Sequence, residues 1–292
     1  MTQAELPNET PSLRLARHLA YLLPRGRATL VRRLARLTGA PSQFNARIQN
    51  LTFGIDLHER VSRTLYLFRD FEADVTALLL SLLKPGDTML DVGANFGYFS
   101  LLAAQRLGPS GRVLAFEPDP RNIARLRANL QVNGITNVTV IPKAVYDQAG
   151  TLTLNLATDD EDNLGSSSLI AAGHGRQPLE VPVVRLDDLL PAEGIEHVEL
   201  VKMDIEGAEI GALEGARESL RAGRIDRILL EFHQSILGPE KLRQTLDSMH
   251  KQGFDAQILH EGKSNVPGRT IPAYPTWTSS QDNPHLLFVR RS

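Results

Sequence analysis

The sequence predicts an α/β fold, in which a mostly parallel sheet carries helices on both faces. Short, nearly continuous apolar runs are typical of buried parallel strands and occur at residues 88–92, 112–116, 138–141, 198–203 and 225–232. Stretches with helical spacing of apolar residues separate them, at 96–107, 120–132, 208–220 and 239–251. Strands that alternate with helices indicate right-handed crossovers, which place helices on both faces of one sheet.

Further elements flank this alternation. Apolar residues at helical spacing predict two short helices within residues 13–37, interrupted at Pro24 and Gly26. The remaining predictions are a strand at 51–55, a helix at 71–83, a hairpin-like insertion of strands 151–156 and 179–185 around a polar loop at 158–175, and strands at 256–259 and 286–289. We therefore divide the chain into a basic helical amino-terminal extension, residues 1–50, and a sheet-containing domain, residues 51–292.

Composition excludes several classes of function. The 292 residues carry 32 basic and 34 acidic side chains and a formal net charge of -2, so nucleic acid is not an expected partner. Cysteine is absent, which excludes disulfides, thiolate metal sites and a cysteine nucleophile. No apolar run approaches the roughly 20 residues of a bilayer-spanning helix, and the first nine residues contain no base. We therefore expect a cytoplasmic protein.

The amino-terminal segment is locally basic although the whole chain is not. Residues 10–55 contain no acid, and they contain Arg14, Arg17, Arg25, Arg27, Arg32, Arg33, Arg36 and Arg47. Two interpretations stay open. The helices pack on the main domain with their arginines in water, or they contact an anionic membrane surface or an anionic substrate.

The strongest local signal is the segment from Asp91 to Gly97, between a buried-strand pattern and a helix. Its glycines let the backbone approach a ligand, and the helix start beyond them offers free N–H groups. Asp91 would repel a pyrophosphate, whereas it would attract the ammonium group of S-adenosylmethionine directly or through water. Asn95 also stands where a dinucleotide fingerprint has its second glycine. The segment therefore favours a sulfonium cofactor over a dinucleotide.

The second signal is Glu117, which ends the second predicted strand and precedes Pro118. A carboxylate in this position suits paired hydrogen bonds to ribose hydroxyls. The alternative is an acid that stabilises the start of the next helix. Asp119 and Pro120 already account for that helix start, so we favour the ribose interpretation.

Two later strands end in polar residues. Asp204 follows one buried strand, and Glu231 and His233 end the next, where alternation places both on one face. An unperturbed imidazole suits the removal of a hydroxyl proton near neutral pH. The alternative is that Glu231 and His233 only satisfy each other's hydrogen bonds and have no catalytic role. Asp204 is a candidate for the methionine end of the cofactor, the acceptor hydroxyl or a divalent cation. Glu206 and Glu209 are equally consistent with ordinary acids at a helix start.

With these motifs, the chain resembles the FkbM family of methyltransferases over about residues 65–260. The resemblance is carried by 84–87, 91–100, 116–118, Asn129, Asn133, 144–145, the Ser-rich 165–169, 186–187, and above all by Lys202 to Glu209 with 213–216. The glycine loop is shared by all class I methyltransferases, whereas the segment 202–209 is characteristic of this family. The first 50 residues and the loop 261–283 lie outside the pattern, and we expect them to shape acceptor choice.

The resemblance implies a class I, Rossmann-like sheet of seven strands, S-adenosylmethionine as cofactor, and O-methylation of a hydroxyl on a sugar, glycolipid or natural product. The partner is then a small-molecule, glycan or glycolipid acceptor. The expected cofactor-binding residues are Asp91, Gly93, Ala94, Asn95, Gly97, Glu117, Pro118, Ala144 and Asp204.

The expected chemistry is an in-line displacement by the acceptor hydroxyl, so the protein mainly aligns the reactants and removes a proton. His233 is the expected base, and Asp204 and Glu231 orient it, bind the acceptor or hold Mg2+. No metal site is assigned, and His174, His197, His250, His260 and His285 receive no role. Two alternatives remain: an NAD-dependent oxidoreductase with a similar sheet, and an inactive membrane-associated binding protein of this fold.

Overall fold

The amino-terminal part of the chain forms two helices and a β-hairpin. The structure is a computed structural model that describes residues 6–23, 25–157, 167–170, 177–259, 270–272 and 283–291. Helices α1 (Pro11–Tyr21) and α2 (Arg27–Thr38) confirm the two predicted helices. Strands β1 (Gln43–Ile48) and β2 (Leu51–Asp56) pair antiparallel, and α3 (Arg60–Phe68) and α4 (Ala73–Leu82) follow. The predicted domain boundary at residue 50 falls in the turn of this hairpin.

The alternation of strands and helices is confirmed. It begins with β3 (Thr88–Val92), α5 (Tyr98–Leu107), β4 (Arg112–Phe116), α6 (Pro120–Val132) and β5 (Val138–Ile141). The insertion consists of β6 (Ala144–Val145), β7 (Gly150–Leu156) and β8 (Gln177–Val184). The chain continues with α7 (Leu186–Ala192), β9 (Leu200–Met203), α8 (Glu209–Glu214), α9 (Arg217–Arg221), β10 (Arg227–Glu231), α10 (Gln234–Leu237), α11 (Pro239–Lys251), β11 (Phe254–Leu259), β12 (Thr270–Pro272) and β13 (His285–Arg290).

The main sheet contains the seven strands that the resemblance implies. Their order is β11-β13-β10-β9-β3-β4-β5, and β5, β4, β3, β9 and β10 run parallel while β13 is antiparallel to both neighbours. The three-residue β12 adds an eighth strand beyond β11. The predicted hairpin is present as β7 and β8, with β6 parallel to β8. The predicted loops at 158–175 and 261–283 lie outside the described residues except for 167–170, 270–272 and 283.

Two separate cores cover the two faces of the main sheet. Met89 and Leu90 are neighbours on β3, and both are fully buried, but they belong to different cores because side chains alternate along a strand. One core contains the helices from α1 to α6, and the other contains α7, α8, α9 and α11. Burial of each large apolar side chain contributes about 1.5–3 kcal/mol, so both faces must be covered for the sheet to be stable.

The prediction of one continuous helix at 208–220 is wrong, because the chain forms α8 and α9 with a break at Gly215. The backbone of Gly215 packs so closely that a Cβ there would lie 2.0 Å from the carbonyl oxygen of Tyr146. Asp187 then accepts hydrogen bonds from the N–H groups of Glu218 (3.0 Å) and Ser219 (2.7 Å), which caps α9. The cap comes from about thirty residues earlier in the chain, so helical periodicity does not indicate it.

Two asparagines of α6 attach the hairpin to the sheet domain. The side chain of Asn133 accepts from the N–H of Thr52 (2.7 Å) and donates to its carbonyl (2.6 Å), in the manner of a neighbouring strand. Asn129 accepts from the N–H of Gly54 (2.8 Å) and donates to the carbonyl of Phe96 (2.8 Å). These amides therefore satisfy backbone groups of β2 and fix the hairpin beside the loop after β3.

We expect Asn129→Ala to lower the free energy of unfolding by about 2–4 kcal/mol, because it leaves two backbone groups unpaired and Asn129 itself is buried. Urea unfolding followed by circular dichroism measures this change. Gln131→Ala on the same helix is the matched control, since Gln131 is exposed and its loss is expected to change stability by less than about 0.5 kcal/mol. Equal effects of the two substitutions would contradict the bridging role.

Candidate active site

A cavity of about 580 Å3 lies at the carboxyl ends of β3, β4, β9 and β10. Its volume lies within the range of about 300–1,000 Å3 that is usual for small-molecule sites. The cavity brings together nine of the residues that the sequence singles out, namely Gly93, Ala94, Asn95, Glu117, Pro118, Ala144, Asp204, Glu231 and His233. Asp91 and Gly97 do not line it.

The glycine loop after β3 is shaped by close packing. Gly93 has a φ of 87°, and a Cβ there would lie 1.9 Å from the carbonyl oxygen of Asp204. Gly97 has a φ of 93°, and a Cβ there would lie 2.3 Å from Leu126. Asn95 between them also has a positive φ, of 52°, so α5 begins at Tyr98 and not at the predicted residue 96. The glycines therefore let the loop approach the end of β9 and the helix α6.

Asp91 lies behind this loop. Its side chain is fully buried, and it accepts a hydrogen bond of 2.5 Å from the hydroxyl of Ser100. Its other oxygen has no hydrogen-bond partner within the described residues. Burial raises the pKa of Asp91, against the opposing effect of the Lys202 ammonium and the Ser100 hydroxyl. Contact between Asp91 and a cofactor stays a prediction.

Glu117 closes the other side of the loop. It accepts hydrogen bonds from the N–H of Asn95 (2.8 Å) and the N–H of Asp119 (2.8 Å). Burial raises its pKa to about 7, although both hydrogen bonds act in the opposite direction. Each carboxylate oxygen accepts more than one hydrogen bond, so Glu117 retains acceptor capacity toward the cavity.

Lys202 is a buried cation within β9 that sequence reasoning left without a role. Its ammonium lies 3.2 Å from Asp204 and 4.7 Å from the ring centre of Phe99. Burial alone would lower the pKa of Lys202, but the carboxylates of Asp204 and Asp91 outweigh this effect and raise it. Lys202 therefore stays charged, and it lowers the pKa of Asp204. The available signal was a lysine within an otherwise apolar strand.

Asp204, Glu206, Glu231 and His233 form what we call the carboxylate–histidine cluster. The Nε2 atom of His233 lies 3.4 Å from Glu206, 3.8 Å from Asp204 and 3.8 Å from Glu231. All four residues line the cavity. The ends of the adjacent parallel strands β9 and β10 bring them together, as expected for residues at the same edge of a sheet.

The imidazole of His233 is held from behind by Glu209. Its Nδ1 atom lies 2.6 Å from the carboxylate of Glu209, which is fully buried and also accepts from the N–H of Gly207 at 2.9 Å. Burial alone would lower the pKa of His233, but the Glu209 hydrogen bond and the charges of Asp204, Glu209 and Glu231 raise it to about 9. The free imidazole is therefore protonated at neutral pH, unlike the unperturbed group that the sequence argument assumes.

The turn that carries Glu206 is fixed by the insertion. Glu206 and Gly207 have positive φ values of 51° and 100°, which reverse the chain after β9. The hydroxyl of Ser168, from the Ser-rich segment, donates to the carbonyl of Glu206 at 2.6 Å. This contact explains how a distant Ser-rich loop is coupled to the end of β9. Burial raises the pKa of Glu206 to about 7.

Glu72 and His285 extend the cluster, and sequence reasoning missed both. The Nε2 atom of His285 lies 3.6 Å from Glu231 and 3.8 Å from Glu72. Burial raises the pKa of Glu72 to about 7, and the charge of Asp204 acts in the same direction. His285 stands opposite Glu231 in the pairing of β13 with β10. Only the strand register shows this proximity, since more than 50 residues separate the two in sequence.

Comparison with known proteins identifies the family. The sequence-family model of the methyltransferase FkbM domain matches residues 91–256 of the chain. The chain belongs to the FkbM methyltransferase family. It is therefore an S-adenosylmethionine-dependent methyltransferase with the class I fold, which confirms the resemblance and sets aside the NAD-dependent alternative.

Three relatives illustrate the family. The chain is 31% identical over 195 residues to the 2-O-methyltransferase NoeI of Sinorhizobium fredii, covering 62% of this chain and 78% of that protein. It is 31% identical over 205 residues to the 31-O-demethyl-FK506 methyltransferase FkbM of Streptomyces tacrolimicus, covering 60% and 77%. It is 26% identical over 203 residues to the hexuronic acid methyltransferase AglP of Haloferax volcanii, covering 68% and 77%.

The cavity of this FkbM methyltransferase fits S-adenosylmethionine in its chemistry. Beside Glu117, apolar side chains of Phe116, Val145 and Leu154 line the wall, which suits an adenine ring next to a ribose-binding carboxylate. Toward the other end, the carboxylate of Asp204 suits the positive charges of the ammonium and sulfonium groups. The residues present are therefore compatible with the family's cofactor.

We expect the affinity for S-adenosylhomocysteine to fall with pH below about 7. Glu117 accepts hydroxyl hydrogen bonds best when it is ionised, and its raised pKa of about 7 makes the carboxylate neutral at lower pH. Binding is then about tenfold weaker at pH 6 than at pH 8. Calorimetric titration at pH 6, 7 and 8 measures this, with Glu117→Gln as the variant that binds weakly without this pH dependence. A wild-type affinity that is constant over this range would contradict the ribose interpretation.

Proposed function

We propose that this enzyme methylates a hydroxyl oxygen of a sugar, glycolipid or natural product. The observation that carries the proposal is a single cavity with Glu117 at one end and the carboxylate–histidine cluster at the other. The names of the relatives support the acceptor class, since one is a 2-O-methyltransferase, one acts on 31-O-demethyl-FK506 and one on a hexuronic acid. The cofactor end and the acceptor end then adjoin within one site.

At the cofactor end, each predicted residue has a proposed role. Glu117 binds the ribose hydroxyls, and Pro118 and Ala144 flank the adenine. Gly93, Ala94 and Asn95 border the methionine part, together with Asp204, and Gly97 shapes the start of α5. Asp91 acts through water or by holding Ser100 and the loop in place, because its carboxylate is buried behind that loop.

The reaction is a nucleophilic displacement. When bound, S-adenosylmethionine supplies the methyl group of its sulfonium. The rest of the cofactor is then the leaving group, a neutral thioether. The acceptor oxygen forms the new C–O bond while the electron pair of the C–S bond returns to sulfur, and the hydroxyl proton passes to the carboxylate–histidine cluster. Asp204, Glu231 and His233 orient the hydroxyl and take part together in accepting its proton, since the Nε2 atom of His233 lies 3.8 Å from the carboxylates of both Asp204 and Glu231. The geometry therefore supports a shared proton acceptor in place of His233 alone.

We expect Glu231→Gln and His233→Gln to lower kcat by about 100-fold or more, because proton removal and alignment contribute rate factors of this size. The Kd for S-adenosylhomocysteine is expected to stay within about twofold, since both residues lie away from Glu117. Initial rates with radiolabelled cofactor and calorimetry measure the two quantities. Glu240→Gln changes an exposed carboxylate outside the cavity and serves as the control. A loss of cofactor affinity as large as the loss of kcat would contradict the acceptor-side role.

The acceptor class is tested by a screen of hydroxyl compounds. Purified enzyme and radiolabelled S-adenosylmethionine are incubated with uronic acids, neutral sugars, glycolipids and the amino-sugar analogues of the best acceptors. Label in an ether that resists mild alkali is expected with hydroxyl acceptors. Transfer to the amino analogue alone would contradict O-methylation, and binding of S-adenosylhomocysteine with no transfer to any acceptor would favour the inactive binding protein.

We also propose that the enzyme is cytoplasmic and contacts the membrane surface through its amino-terminal helices. Leu22 and Leu37 are 78% and 82% exposed, and Arg33 and Arg36 are exposed next to Leu37 on α2. Exposed apolar side chains among arginines are typical of surfaces that bind anionic lipid. Within the described residues, no helix combines the length and apolar character of a transmembrane segment.

We expect replacement of Arg32, Arg33 and Arg36 by alanine to weaken binding to phosphatidylserine vesicles by about 100-fold, at about 1 kcal/mol per arginine. Flotation of the protein with vesicles measures the bound fraction. Replacement of the same three residues by lysine keeps the charge and is expected to retain binding. Equal flotation of the alanine variant, or no flotation of the wild-type protein, would refute the membrane contact.

Mg2+ is a second candidate ligand for the acidic side chains of the cluster. Asp204 and Glu231 offer the oxygen ligands that Mg2+ accepts. The third side chain that faces them is the imidazole of His233. Imidazole is a poorer ligand for Mg2+ than for first-row transition ions.

A further inference from the structure

Three side chains of the cluster place ligand atoms close to one another. One ligand atom from each of Asp204, Glu231 and His233 lies within 4.8 Å of the other two, and the Nε2 atom of His233 is 3.8 Å from both carboxylates. Ligands at about 2.1 Å from one ion lie roughly 3.0–3.4 Å apart in octahedral or tetrahedral geometry. A contraction of roughly 0.4–0.8 Å would therefore bring the two 3.8 Å separations from His233 to coordination distances, with Asp204 and Glu231 also moving toward the ion.

The orientation of His233 is an independent observation that points to a ligand. Its side chain is only 4% exposed, and Nε2 lies on the cavity side, where three carboxylates surround it at 3.4–3.8 Å. Nδ1 is fixed by Glu209 at 2.6 Å. A buried carboxylate behind a histidine, with the other ring nitrogen directed at a cation, is the usual outer-shell arrangement of metal-binding histidines.

The cluster also leaves room for further ligands. Asp204, Glu206, Glu231 and His233 all line the cavity, so open coordination positions would face the acceptor. One imidazole with two carboxylates suits a first-row ion such as Mn2+ better than Mg2+, which prefers oxygen alone.

We infer that Asp204, Glu231 and His233 bind one divalent transition ion of the Mn2+ type, which displaces the Nε2 proton that His233 carries in the ion-free protein, with Glu209 as the positioning residue behind His233. The ion lies at the acceptor end of the cavity, where its open positions take an oxygen atom of the acceptor, and Glu206, the member of the cluster outside the ligand set, then takes the hydroxyl proton. The role of the ion in catalysis rests on the proposed function, but ion binding itself is measured without an acceptor.

The test uses the full-length protein after chelation and dialysis, titrated with Mn2+ and followed by electron paramagnetic resonance. Binding of one ion per chain reduces the signal of free Mn2+, and electron spin-echo modulation from nitrogen-14 reports coordination by an imidazole. We expect both in the wild-type protein. His233→Gln is expected to abolish the nitrogen modulation, and Glu209→Gln to weaken Mn2+ binding by about 10- to 100-fold.

His197→Gln is the matched control, because His197 also pairs with a carboxylate, Asp226 at 3.1 Å, but lies outside the cavity. It is expected to leave Mn2+ binding unchanged. Absence of a bound ion, bound Mn2+ without nitrogen modulation, or equal binding by His233→Gln would overturn the inference, and the wild-type spectrum decides this even where a variant does not fold. Titration of the same samples with S-adenosylhomocysteine separates the metal-site proposal from the proposed function. Intact cofactor binding without Mn2+ binding would contradict only the metal-site proposal.

Discussion

The close approach of the loop after β3 to the turn after β9 is the constraint on which the site depends. The carbonyl oxygen of Asp204 occupies the space that a Cβ at residue 93 would need, so the two segments meet backbone to backbone. Near this contact lie two acids, the buried Asp91 of β3 and Asp204, which follows the adjacent strand β9. Lys202 donates a hydrogen bond to Asp204 and also interacts with the charge of Asp91, so it supplies positive charge that compensates both acids. Gly93 therefore allows the close approach of the two segments, and Lys202 compensates the negative charge of the two acids.

The sheet topology explains why these groups share one cavity. Chain order reverses between β3 and β9, since β4 and β5 lie on one side of β3 while β9 and β10 lie on the other. A crevice forms at such a switch point, at the carboxyl ends of the parallel strands. Glu117 follows β4 and His233 follows β10, so they enter the crevice from opposite sides. The separation of Glu117 from His233 is thus set by the strand order.

The parts of this arrangement that the sequence predicts are those with a local pattern. The sequence predicts the strands at 88–92 and 112–116 to the residue because buried parallel strands are nearly continuous apolar runs bounded by Gly and Pro, and it also predicts the partly exposed edge strand at 138–141 to the residue. Glu117 and Asp204 were found because each follows such a run. Residues joined only by register or long-range contact had no local pattern: His285 meets Glu231 through the pairing of β13 with β10, and Asp187 caps α9 from another element.

Glu209 shows how one residue satisfies two physical requirements. In the sequence it was equally consistent with an acid at a helix start, and it is indeed the first residue of α8. The positive φ values of Glu206 and Gly207 turn the chain so that Glu206 and Glu209 approach the same imidazole from opposite ring nitrogens. Glu209 is fully buried and fixes Nδ1, whereas Glu206 is partly exposed and faces Nε2. The spacing of the acids from Asp204 to Glu209 therefore places Asp204 and Glu206 at the cavity and Glu209 behind His233. Favourable electrostatics at a helix start alone would not require these separate positions.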